Sequence, residues 1–268
     1  MSSKICLLVF LFVMGAYDRA SAAEAIKDNS FLIEEAYNQE AGVVQFVQTV
    51  QYLEPSEEWA YTLSVEVPVP DQSHQLSFAV PLFKQDVRDS QLQAGDLLLN
   101  YRYQLFENEF VAMAPRFSLI LPTGDHKKEY GSDVFGFQFN HSISIELTKD
   151  WATHWNLGFT YLPDAKNAND ETAHLFGYNF GASLIYISSA STQVLFEFLS
   201  SSQEQVTAPD SKQNVSSYFF APGVRTAFKV GKETEIVPGL AALLGVGPSA
   251  VNHERGLFVY FSIESRLW

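Results

Sequence analysis

Most of the chain alternates between apolar and polar residues with a period of two. In the stretch EWAYTLSVEVPVP, residues 58–70, the odd positions from Trp59 to Val67 are apolar, and the even positions Thr62, Ser64 and Glu66 are polar. Because successive side chains of a β-strand point to opposite faces, this alternation predicts a strand with two unlike faces. It fits both a soluble sandwich with a dry core and a membrane barrel with a dry exterior.

The same alternation recurs along the chain in runs of about ten residues. Twelve runs can be counted: 44–52, 59–67, 76–82, 97–105, 111–121, 137–147, 151–161, 176–186, 194–198, 218–228, 236–246 and 257–263. Polar residues on the apolar parity, such as Gln48, His141 and Thr153, are few. Twelve such runs in succession predict a single all-β domain.

The connections between the runs alternate in length. Tight connections lie at 107–109, 148–150, 188–191 and 229–233, whereas 84–95, 123–135, 162–173 and 200–215 are long and polar. Short and long connections therefore fall on opposite ends of the sheet, and 53–58 is a short member of the long set. Bacterial outer-membrane barrels have short periplasmic turns and longer outside loops, whereas a soluble sandwich has no reason for this sorting.

Aromatic residues and strand length also favour a membrane barrel over a sandwich. Trp59, Tyr103 and Trp151 lie near the ends of apolar faces, where the interfaces of a bilayer hold such side chains. Five outward residues span roughly 30 Å, and a tilt of about 40° brings this span close to the 25 Å apolar band of such barrels. We therefore predict an all-β fold, a transmembrane antiparallel up-and-down β-barrel of about twelve strands, over residues 42–268.

Three prolines sit on the lipid-facing parity within predicted strands. Pro115, Pro222 and Pro238 each lack the backbone N–H that a neighbouring strand needs. Since unsatisfied backbone groups facing hydrocarbon are costly, we expect local bulges there, helped by Gly223 and Gly239.

The first 22 residues predict export. Lys4 precedes an apolar run from Ile5 to Ala16, and Ala20-Ser21-Ala22 has the small-x-small form that signal peptidase cuts. The run is shorter than the roughly 20 apolar residues of a permanent membrane helix, and no later stretch comes close. We interpret residues 1–22 as a signal peptide, with which the only cysteine, Cys6, is removed.

Charge limits the partners. Removing Lys4, Arg19 and Asp18 takes away a net charge of +1, so the formal charge of −14 becomes −15 after export. Nucleic acid is excluded, because its binding relies on cationic residues that neutralise phosphates. The expected partners are outer-membrane lipid, lipopolysaccharide, the barrel assembly machinery and a small-molecule solute, with no cofactor and no metal.

Several blocks resemble a known family. FLIEEAYNQEAGVVQ (31–45), GDLLLNYRYQLF (95–106), APRFSLILPTGD (114–125), NLGFTYLPDA (156–165) and FAPGVRTAF (220–228) are similar to transporter-like outer-membrane proteins of the MetA pathway of phenol degradation. The resemblance implies a barrel in the bacterial outer membrane that passes small molecules, including aromatic compounds. It supplies no catalytic residues.

Charged residues on the inward parity are candidates for lining the lumen. Counting from the 148–150 turn, Glu146 lies about opposite His154, and Arg102 falls diagonal to Arg116 across the 107–109 turn. Paired arginines need carboxylates, which Glu197 and the N-terminal glutamates can supply. The predicted lumen-lining residues are Arg102, Arg116, Glu146, His154, Glu197 and Arg225. They form either a salt-bridge network that stiffens a narrow barrel or a selectivity ring in a conducting pore.

Two motifs suggest other chemistry. His141 and Ser142 invite a lipid-side hydrolase, but adjacent residues of a strand point to opposite faces and cannot form a Ser–His dyad. The acidic stretch DAKNANDE, 164–171, lacks the regular spacing of a calcium-binding loop, so a solvated loop is favoured. We therefore predict no enzyme and no catalytic residues.

The segment before the first strand, 23–41, breaks the alternation. Ser30 is an acceptable N-cap, Glu34 and Glu35 lie near the positive end of a helix dipole, and Gly42 can end the helix, which predicts a short helix from about Phe31 to Glu40. Such a helix fits the mouth of a twelve-stranded barrel as a plug. The plug candidates are Phe31, Glu34, Glu35, Tyr37 and Glu40, with the carboxylates pairing to lumen arginines and Phe31 packing on Phe258. The alternative is a periplasmic tail that only delivers the chain to the first strand.

The predicted function is an outer-membrane channel or transporter that passes small solutes by passive diffusion. A second hypothesis is a non-conducting barrel with a structural or surface-interaction role, whose lumen is closed by side chains. A lipid-side hydrolase is the third.

Overall fold

A computed structural model describes residues 30–84 and 92–267. The predicted signal peptide, 1–22, and the first part of the predicted N-terminal segment lie outside these ranges. The strands are β1 (Val43–Glu54), β2 (Glu58–Pro68), β3 (His74–Lys84), β4 (Gln93–Ala94), β5 (Leu97–Tyr103), β6 (Phe106–Glu107), β7 (Val111–Leu121), β8 (Gly136–Thr148), β9 (Trp151–Lys166), β10 (Thr172–Ile187), β11 (Thr192–Ala208), β12 (Ser211–Thr226), β13 (Phe228–Val230), β14 (Thr234–Gly245) and β15 (Arg255–Arg266).

Helix is confined to two short pieces of the described chain. A 3₁₀ turn covers His126–Lys128, and helix α1 covers Pro248–Val251. Over residues 30–84 and 92–267, no helix has the length and apolar character needed to cross a membrane.

The strands form one closed antiparallel β-barrel. Apart from the short strands β4, β6 and β13, successive strands pair with each other, β1 pairs with β15, and pairing between β12 and β14 closes the sheet. The short strands β4 and β6 continue β5 along β3 and β7, and β13 continues β12 along β14. Counted this way, the fifteen strands make twelve staves, in agreement with the twelve predicted runs.

The two faces of the wall are inverted relative to a soluble protein. Outward residues such as Phe117, Leu157 and Tyr178 are 56%, 63% and 60% exposed, whereas the inward Glu197 and Arg225 are each 1% exposed. Soluble proteins bury apolar side chains and almost never bury charged ones without partners. An apolar exterior around a polar lumen is the arrangement of a membrane barrel, so the sandwich alternative is excluded.

One predicted loop is a strand hairpin. The stretch 200–215, predicted as a long polar connection, continues β11 to Ala208 and starts β12 at Ser211, with only two residues between them. Beyond the apolar band the ladder hydrogen bonds persist although outward residues no longer need to be apolar. Polarity therefore marks the edge of the bilayer and not the end of the strand.

Each of the three prolines coincides with an interruption of pairing on one side of its strand. Beside Pro115 the register shifts by one residue between Arg102↔Arg116 and Phe106↔Met113, so a bulge is present there. Beside Pro222 pairing stops between Phe220↔Leu244 and Gly223↔Ala241 with no change of register.

Pro238 behaves like Pro222. It lies opposite the gap between Arg225↔Gly239 and Phe228↔Ile236, again without a register shift. The expected bulges at Pro222 and Pro238 are therefore wrong, because a missing donor removes a ladder bond without requiring an extra residue.

The predicted helix from Phe31 to Glu40 is wrong. Residues 31–40 contain bends and irregular backbone but no helix. Helical hydrogen bonds would join each N–H to the carbonyl four residues earlier, whereas here several N–H groups donate to side chains of the barrel wall. The local capping signals lose to these tertiary partners.

Candidate functional site

The chain before β1 lies against the inward side chains of the barrel. We call residues 30–40 the lumen segment; all of them except Leu32, Glu34 and Glu40 are buried. Near its start, the Glu197 carboxylate on β11 accepts hydrogen bonds from the N–H groups of Phe31 and Leu32, at 2.8 and 3.0 Å. A single carboxylate thereby fixes two successive residues of the segment.

Two amide side chains bind the middle of the lumen segment as a neighbouring strand would. The Asn156 amide on β9 accepts from the N–H of Glu34 and donates to its carbonyl, both at 2.8 Å. The Gln104 amide accepts from the N–H of Asn38 at 3.1 Å and donates to the carbonyl of Ala36 at 2.7 Å. A neutral amide offers both a donor and an acceptor, so it can match both groups of a peptide.

The remaining contacts carry the segment across the lumen toward β1. The Ser144 hydroxyl on β8 accepts from the N–H of Ala36, and the Gln75 side chain on β3 accepts from the N–H of Gln39, each at 2.8 Å. The Gln39 amide then donates to Gln45 on β1 at 2.7 Å. Buried backbone groups are thus satisfied by the wall, as a stable buried segment requires.

Charge pairing anchors the segment at Glu34. Arg116 binds the Glu34 carboxylate with two parallel hydrogen bonds, Nε to Oε2 at 2.9 Å and Nη2 to Oε1 at 2.6 Å. Its other donors reach Asn100 and Gln138, each at 3.0 Å, and Ser118. Bidentate arginine–carboxylate pairs are among the stronger hydrogen-bonded contacts in proteins.

Arg102 binds the backbone of the segment. Its Nε donates to Asn38 Oδ1 at 2.9 Å, and its terminal nitrogens donate to the carbonyls of Tyr37 at 2.6 Å and Glu35 at 3.3 Å. The Glu66 carboxylate lies 3.9 Å away. Arg102 is therefore buried with both a counter-charge and several acceptors, which offsets the cost of removing it from water.

Apolar side chains of the segment occupy recesses opened by glycines. The Phe31 ring packs against Phe258 and Tyr260, with centroids 6.0 and 5.9 Å apart. A Cβ at Gly223 or at Gly239 would collide with this ring, so both glycines are needed for its close approach. Glycines thus shape this part of the wall to receive Phe31.

The strand pairing of several predicted site residues differs from the expected pairing. Arg102 pairs directly with Arg116, not diagonally, and His154 lies opposite Ser144, not Glu146. Both corrections follow from register: the pairs Phe106↔Met113 and Glu107↔Ala112 centre the turn after β6 between residues 109 and 110, and β8 pairs with β9 so that Glu146 faces Ala152. Glu146 is exposed near the end of β8 and does not join the buried residues of the lumen.

Other predicted residues have partners different from those expected. Glu40 pairs with Arg266 at 2.6 Å on the surface, not with a lumen arginine. Glu35 is buried, and its carbonyl accepts from Arg102. Arg225 is buried and donates to Gln193 at 2.9 Å. Glu197 binds segment backbone.

His154 lies buried between β8 and β10. Its backbone N–H donates to the Ser183 hydroxyl at 3.1 Å, and Ser183 in turn accepts from the Ser30 hydroxyl at 3.1 Å. Tyr37 packs with Ala36, Ala112 and Ala114. These contacts tie the segment to the wall near both of its ends.

The neutral residues that bind the lumen segment were not predicted. Asn156, Gln104, Gln75 and Ser144 supply most of its backbone partners, yet only charged residues were selected from the sequence. Their signal is present: all four are polar residues on or beside strands whose opposite parity is apolar. In a lumen, an uncharged amide binds peptide without the desolvation cost of a charge.

Two cavities lie on the other side of the segment, toward the long connections. The larger, about 640 Å³, is lined by apolar residues such as Leu53, Phe219 and Leu243 together with polar ones at its rim. The smaller, about 260 Å³, is lined mainly by polar residues, including Glu34 and Arg116. Leu32, Leu199 and Ser201 line both. The segment therefore forms the floor of an outer vestibule.

The hydrolase motif is divided between the two faces. His141 stacks on the outward ring of Phe139 with an interplanar angle of 4°, whereas Ser142 is buried and accepts from Asn156 at 3.2 Å. The two side chains point away from each other across the wall.

The acidic stretch 164–171 pairs with cations of the β7–β8 connection. His126 lies 2.9 Å from the Asp170 carboxylate, Lys127 also binds it, and Lys166 pairs with Asp133 at 2.6 Å. Hydrogen bonds from Lys127 and His126 lower the pKa of Asp170 to about 2. In the described ranges, no three His, Cys, Asp or Glu side chains are grouped to hold a metal ion.

The closed twelve-stave barrel, its apolar exterior and its polar lumen define a bacterial outer-membrane β-barrel protein. The family model described as "Putative MetA-pathway of phenol degradation" matches residues 24–233, and the chain belongs to this family. No sequence among the curated proteins matches the chain.

Solved structures share the fold at low sequence identity. The COG4313 outer membrane channel from Pseudomonas putida F1 is 14% identical, with a TM-score of 0.62 over 86% of this chain and 97% of that one. A NanC porin is 9% identical, with a TM-score of 0.54 over 83% of this chain and 100% of that one. A KdgM porin is 12% identical, with a TM-score of 0.50 over 84% and 99%.

Proposed function

We propose that the protein is an outer-membrane channel that passes small solutes by passive diffusion, with the lumen segment as its plug. The observation that carries the proposal is the docking of residues 30–40 against the wall, with the vestibule left on the outer side. A wall without a plug needs no such set of backbone partners. The channel and porin folds of the similar structures agree with this role.

The plug we propose is an irregular strap, not a helix. Its charge on the vestibule side is neutralised by the Arg116–Glu34 pair, so the constriction carries little net charge. We therefore expect weak ion selectivity and slow passage of small neutral solutes. We expect no enzymatic activity, because His141 and Ser142 point to opposite faces.

For the other parts of the chain we propose the organisation that the sequence predicts. Residues 1–22 serve as the export signal, 23–41 contain the plug, and 42–268 form the barrel. Insertion through the barrel assembly machinery and contact with lipopolysaccharide are the partners that we propose for an outer-membrane barrel.

A non-conducting structural barrel is the second candidate, and the same docked segment favours it. Planar-bilayer recordings separate the two functions. The refolded full-length protein should give small, steady single-channel steps. Deleting residues 24–40 should raise the conductance several-fold, and Glu34→Lys with Glu35→Lys should produce part of that rise. A full-length protein that gives no steps while the deletion variant conducts would favour the structural barrel.

An intact barrel whose conductance ignores both changes would contradict the plug. Heat-dependent gel mobility, which reports barrel closure, serves as the folding control for each variant. Gln51→Lys is a matched charge control, since Gln51 lines the outer vestibule and contacts no backbone group of the segment through a described hydrogen bond.

A further inference from the structure

Polar residues form two regular rows on the inner wall of the smaller cavity. Each row crosses five adjacent strands from β7 to β11, and its members are directly paired in register. The inner row is Arg116, Asn140, Gly158, Asn179 and Ser201, and the outer row is Ser118, Gln138, Thr160, Gly177 and Gln203. Amide and hydroxyl groups thus face the lumen side by side, with one glycine in each row.

The two glycines let the amides lie flat on the wall. A Cβ at Gly158 would come within 2.6 Å of Asn179 Oδ1 and 2.9 Å of Asn140 Oδ1. At Gly177 the atoms nearest to an added Cβ all belong to the Gln203 amide. Because no side chain projects between these amides, a ligand ring can approach the wall closely along both rows.

The surface offers hydrogen bonds but no uncompensated charge. Every N–H of the Arg116 guanidinium has an acceptor, and Glu34 holds two of those bonds. The other polar members of the rows are amides and hydroxyls. A carboxylate or phosphate would therefore find no available cation, and an ammonium group no available anion.

We propose that these rows form a recognition site for an uncharged polyhydroxylated solute of about monosaccharide size. This inference rests on the proposed channel function, since it names the class of solute that the outer vestibule receives. Each hydroxyl of such a solute both donates and accepts, and so does each amide of the rows. Among the described residues, Asn179 Oδ1 and Gln203 Oε1 accept no hydrogen bond and line the cavity.

Size and lining favour a small polar ring over an aromatic one. Pockets for drug-sized ligands measure about 300–1,000 Å³, and the smaller cavity, about 260 Å³, lies just below that range. None of the described residues that line it is aromatic, whereas Leu32 and Leu199 can cover the C–H face of a sugar ring. Apolar aromatic solutes would leave the amides without partners, which costs affinity.

Binding to refolded full-length protein in detergent tests the site by calorimetry, with D-glucose as the probe. D-Glucuronate, D-glucosamine and phenol serve as its anionic, cationic and aromatic counterparts. Glucose should bind more tightly than all three. Asn179→Leu with Gln203→Leu should weaken glucose binding about tenfold, since two hydrogen-bonding amides are lost. Gln51→Leu, which removes an amide from the larger cavity, should change the affinity by less than about twofold.

A second variant guards against misfolding. Gly177→Ala places its methyl group against the flexible Gln203 side chain, to which the three nearest atoms belong, so the barrel should fold while the flat surface is disturbed. It should weaken glucose binding, and heat-dependent gel mobility checks that the barrel is folded. Tighter binding of phenol or glucuronate, or equal glucose binding by wild type and the double variant, would overturn the proposal.

Conductance separates this proposal from the channel function. If the protein binds glucose through Asn179 and Gln203 but gives no single-channel steps, the recognition site is supported and the channel function is contradicted. If the protein conducts ions but binds no glucose, the channel function is supported and the recognition site is contradicted.

Discussion

The two halves of the lumen differ in what occupies them. Toward the short connections, the lumen segment meets side chains from β3, β7, β8, β9 and β11, and the peptide groups of the segment find partners on the wall. Toward the long connections lie two cavities, the smaller lined mainly by polar side chains and the larger by apolar residues with polar ones at its rim. The same residue types thus bind the chain itself in one half and face an open vestibule in the other.

This difference shows how one barrel can narrow the pathway at one end and leave room for a solute at the other. Asn156 uses both of its amide groups on the backbone of Glu34, whereas the side-chain oxygen of Asn179, one strand away on the cavity wall, accepts no hydrogen bond from the described residues. The two amides have the same chemistry, but they make different contacts because they lie at different heights in the lumen. Substitutions in one half of the lumen, or in the wall that both halves share, test this difference.

The largest expected effect concerns the shared wall. Leu63 faces outward and Thr62 inward on β2, paired with Val80 and Pro81. Leu63→Arg should destabilise the barrel by roughly 2–4 kcal/mol if it lies near the bilayer midplane, whereas Thr62→Arg should cost much less. Urea-dependent refolding into lipid vesicles measures both. Equal tolerance of the two substitutions, or a larger cost for Thr62→Arg, would contradict a barrel wall that faces lipid on its outer side.

The next prediction loosens the occupied half. Glu197→Gln keeps the size of the side chain but leaves one acceptor oxygen where two now accept from the N–H groups of Phe31 and Leu32, so an amide NH2 group would face one of these donors. A buried donor left without its acceptor costs about 1–3 kcal/mol, so the frequency of open events should rise about tenfold. Single-channel recording measures it.

Ser201→Ala is the matched change in the open half, on the same strand. It should leave the opening frequency unaltered, because Ser201 lines the cavities and binds no described atom of the lumen segment. Equal effects of the two substitutions would mean that Glu197 does not hold the plug.

A smaller effect is expected at the boundary between the halves. Arg116→Ala leaves the Glu34 carboxylate without its bidentate partner, so the channel should shift several-fold toward cation preference. The reversal potential in a salt gradient measures the shift. Adding Glu34→Gln should cancel it, and a shift that persists in the double variant would place the charge elsewhere.

The smallest prediction concerns the connections above the open half. The pKa of Asp170, about 2, lies below the value of about 3.9 for an unperturbed Asp. A carboxyl with a lowered folded pKa adds stability above its unfolded pKa and loses it as pH falls through the folded value. The contacts of Asp170 with His126 and Lys127 should therefore persist at pH 5 and disappear between about pH 4 and pH 2.

An NMR titration of the Asp170 carboxyl checks this window. Lys127→Ala should move its midpoint upward toward the unperturbed value, because Lys127 supplies the largest stabilising hydrogen bond. A wild-type midpoint near 4 would show that the two connections are not joined as described.

Much of the fold could be predicted because every strand of a membrane barrel has one apolar face toward lipid and one polar face toward the lumen. Outward Leu63 and inward Thr62 alternate regardless of which strand pairs with which, so twelve runs and two faces could be read directly. Register could not be read in the same way. The turn after Glu107 is centred between residues 109 and 110, and the register then shifts by one residue before Arg102↔Arg116, which nothing in the local pattern marks.

The lumen segment shows a second limit. Ser30, Glu34 and Gly42 are valid helix signals, but they describe the chain in isolation. Glu197, Asn156 and Gln75 lie up to 166 positions away and supply stronger partners for the same N–H groups. The polar rows were missed for a related reason, since Gly158 and Gly177 join neighbouring amides only after the strands are in register.

Cross-linking tests most directly whether the N-terminal segment occupies the lumen. The hydroxyl oxygens of Ser30 and Ser183 lie 3.1 Å apart, and the chain after the predicted signal peptide contains no cysteine. Ser30→Cys with Ser183→Cys should form a disulfide in the folded barrel under mild oxidant, since sulfur atoms at these positions need little movement to bond. Ser30→Cys with Ser201→Cys, on the vestibule side, should not. Rapid cross-linking of the first pair alone would match the docked segment, whereas no cross-link, or equal cross-linking of both pairs, would contradict it.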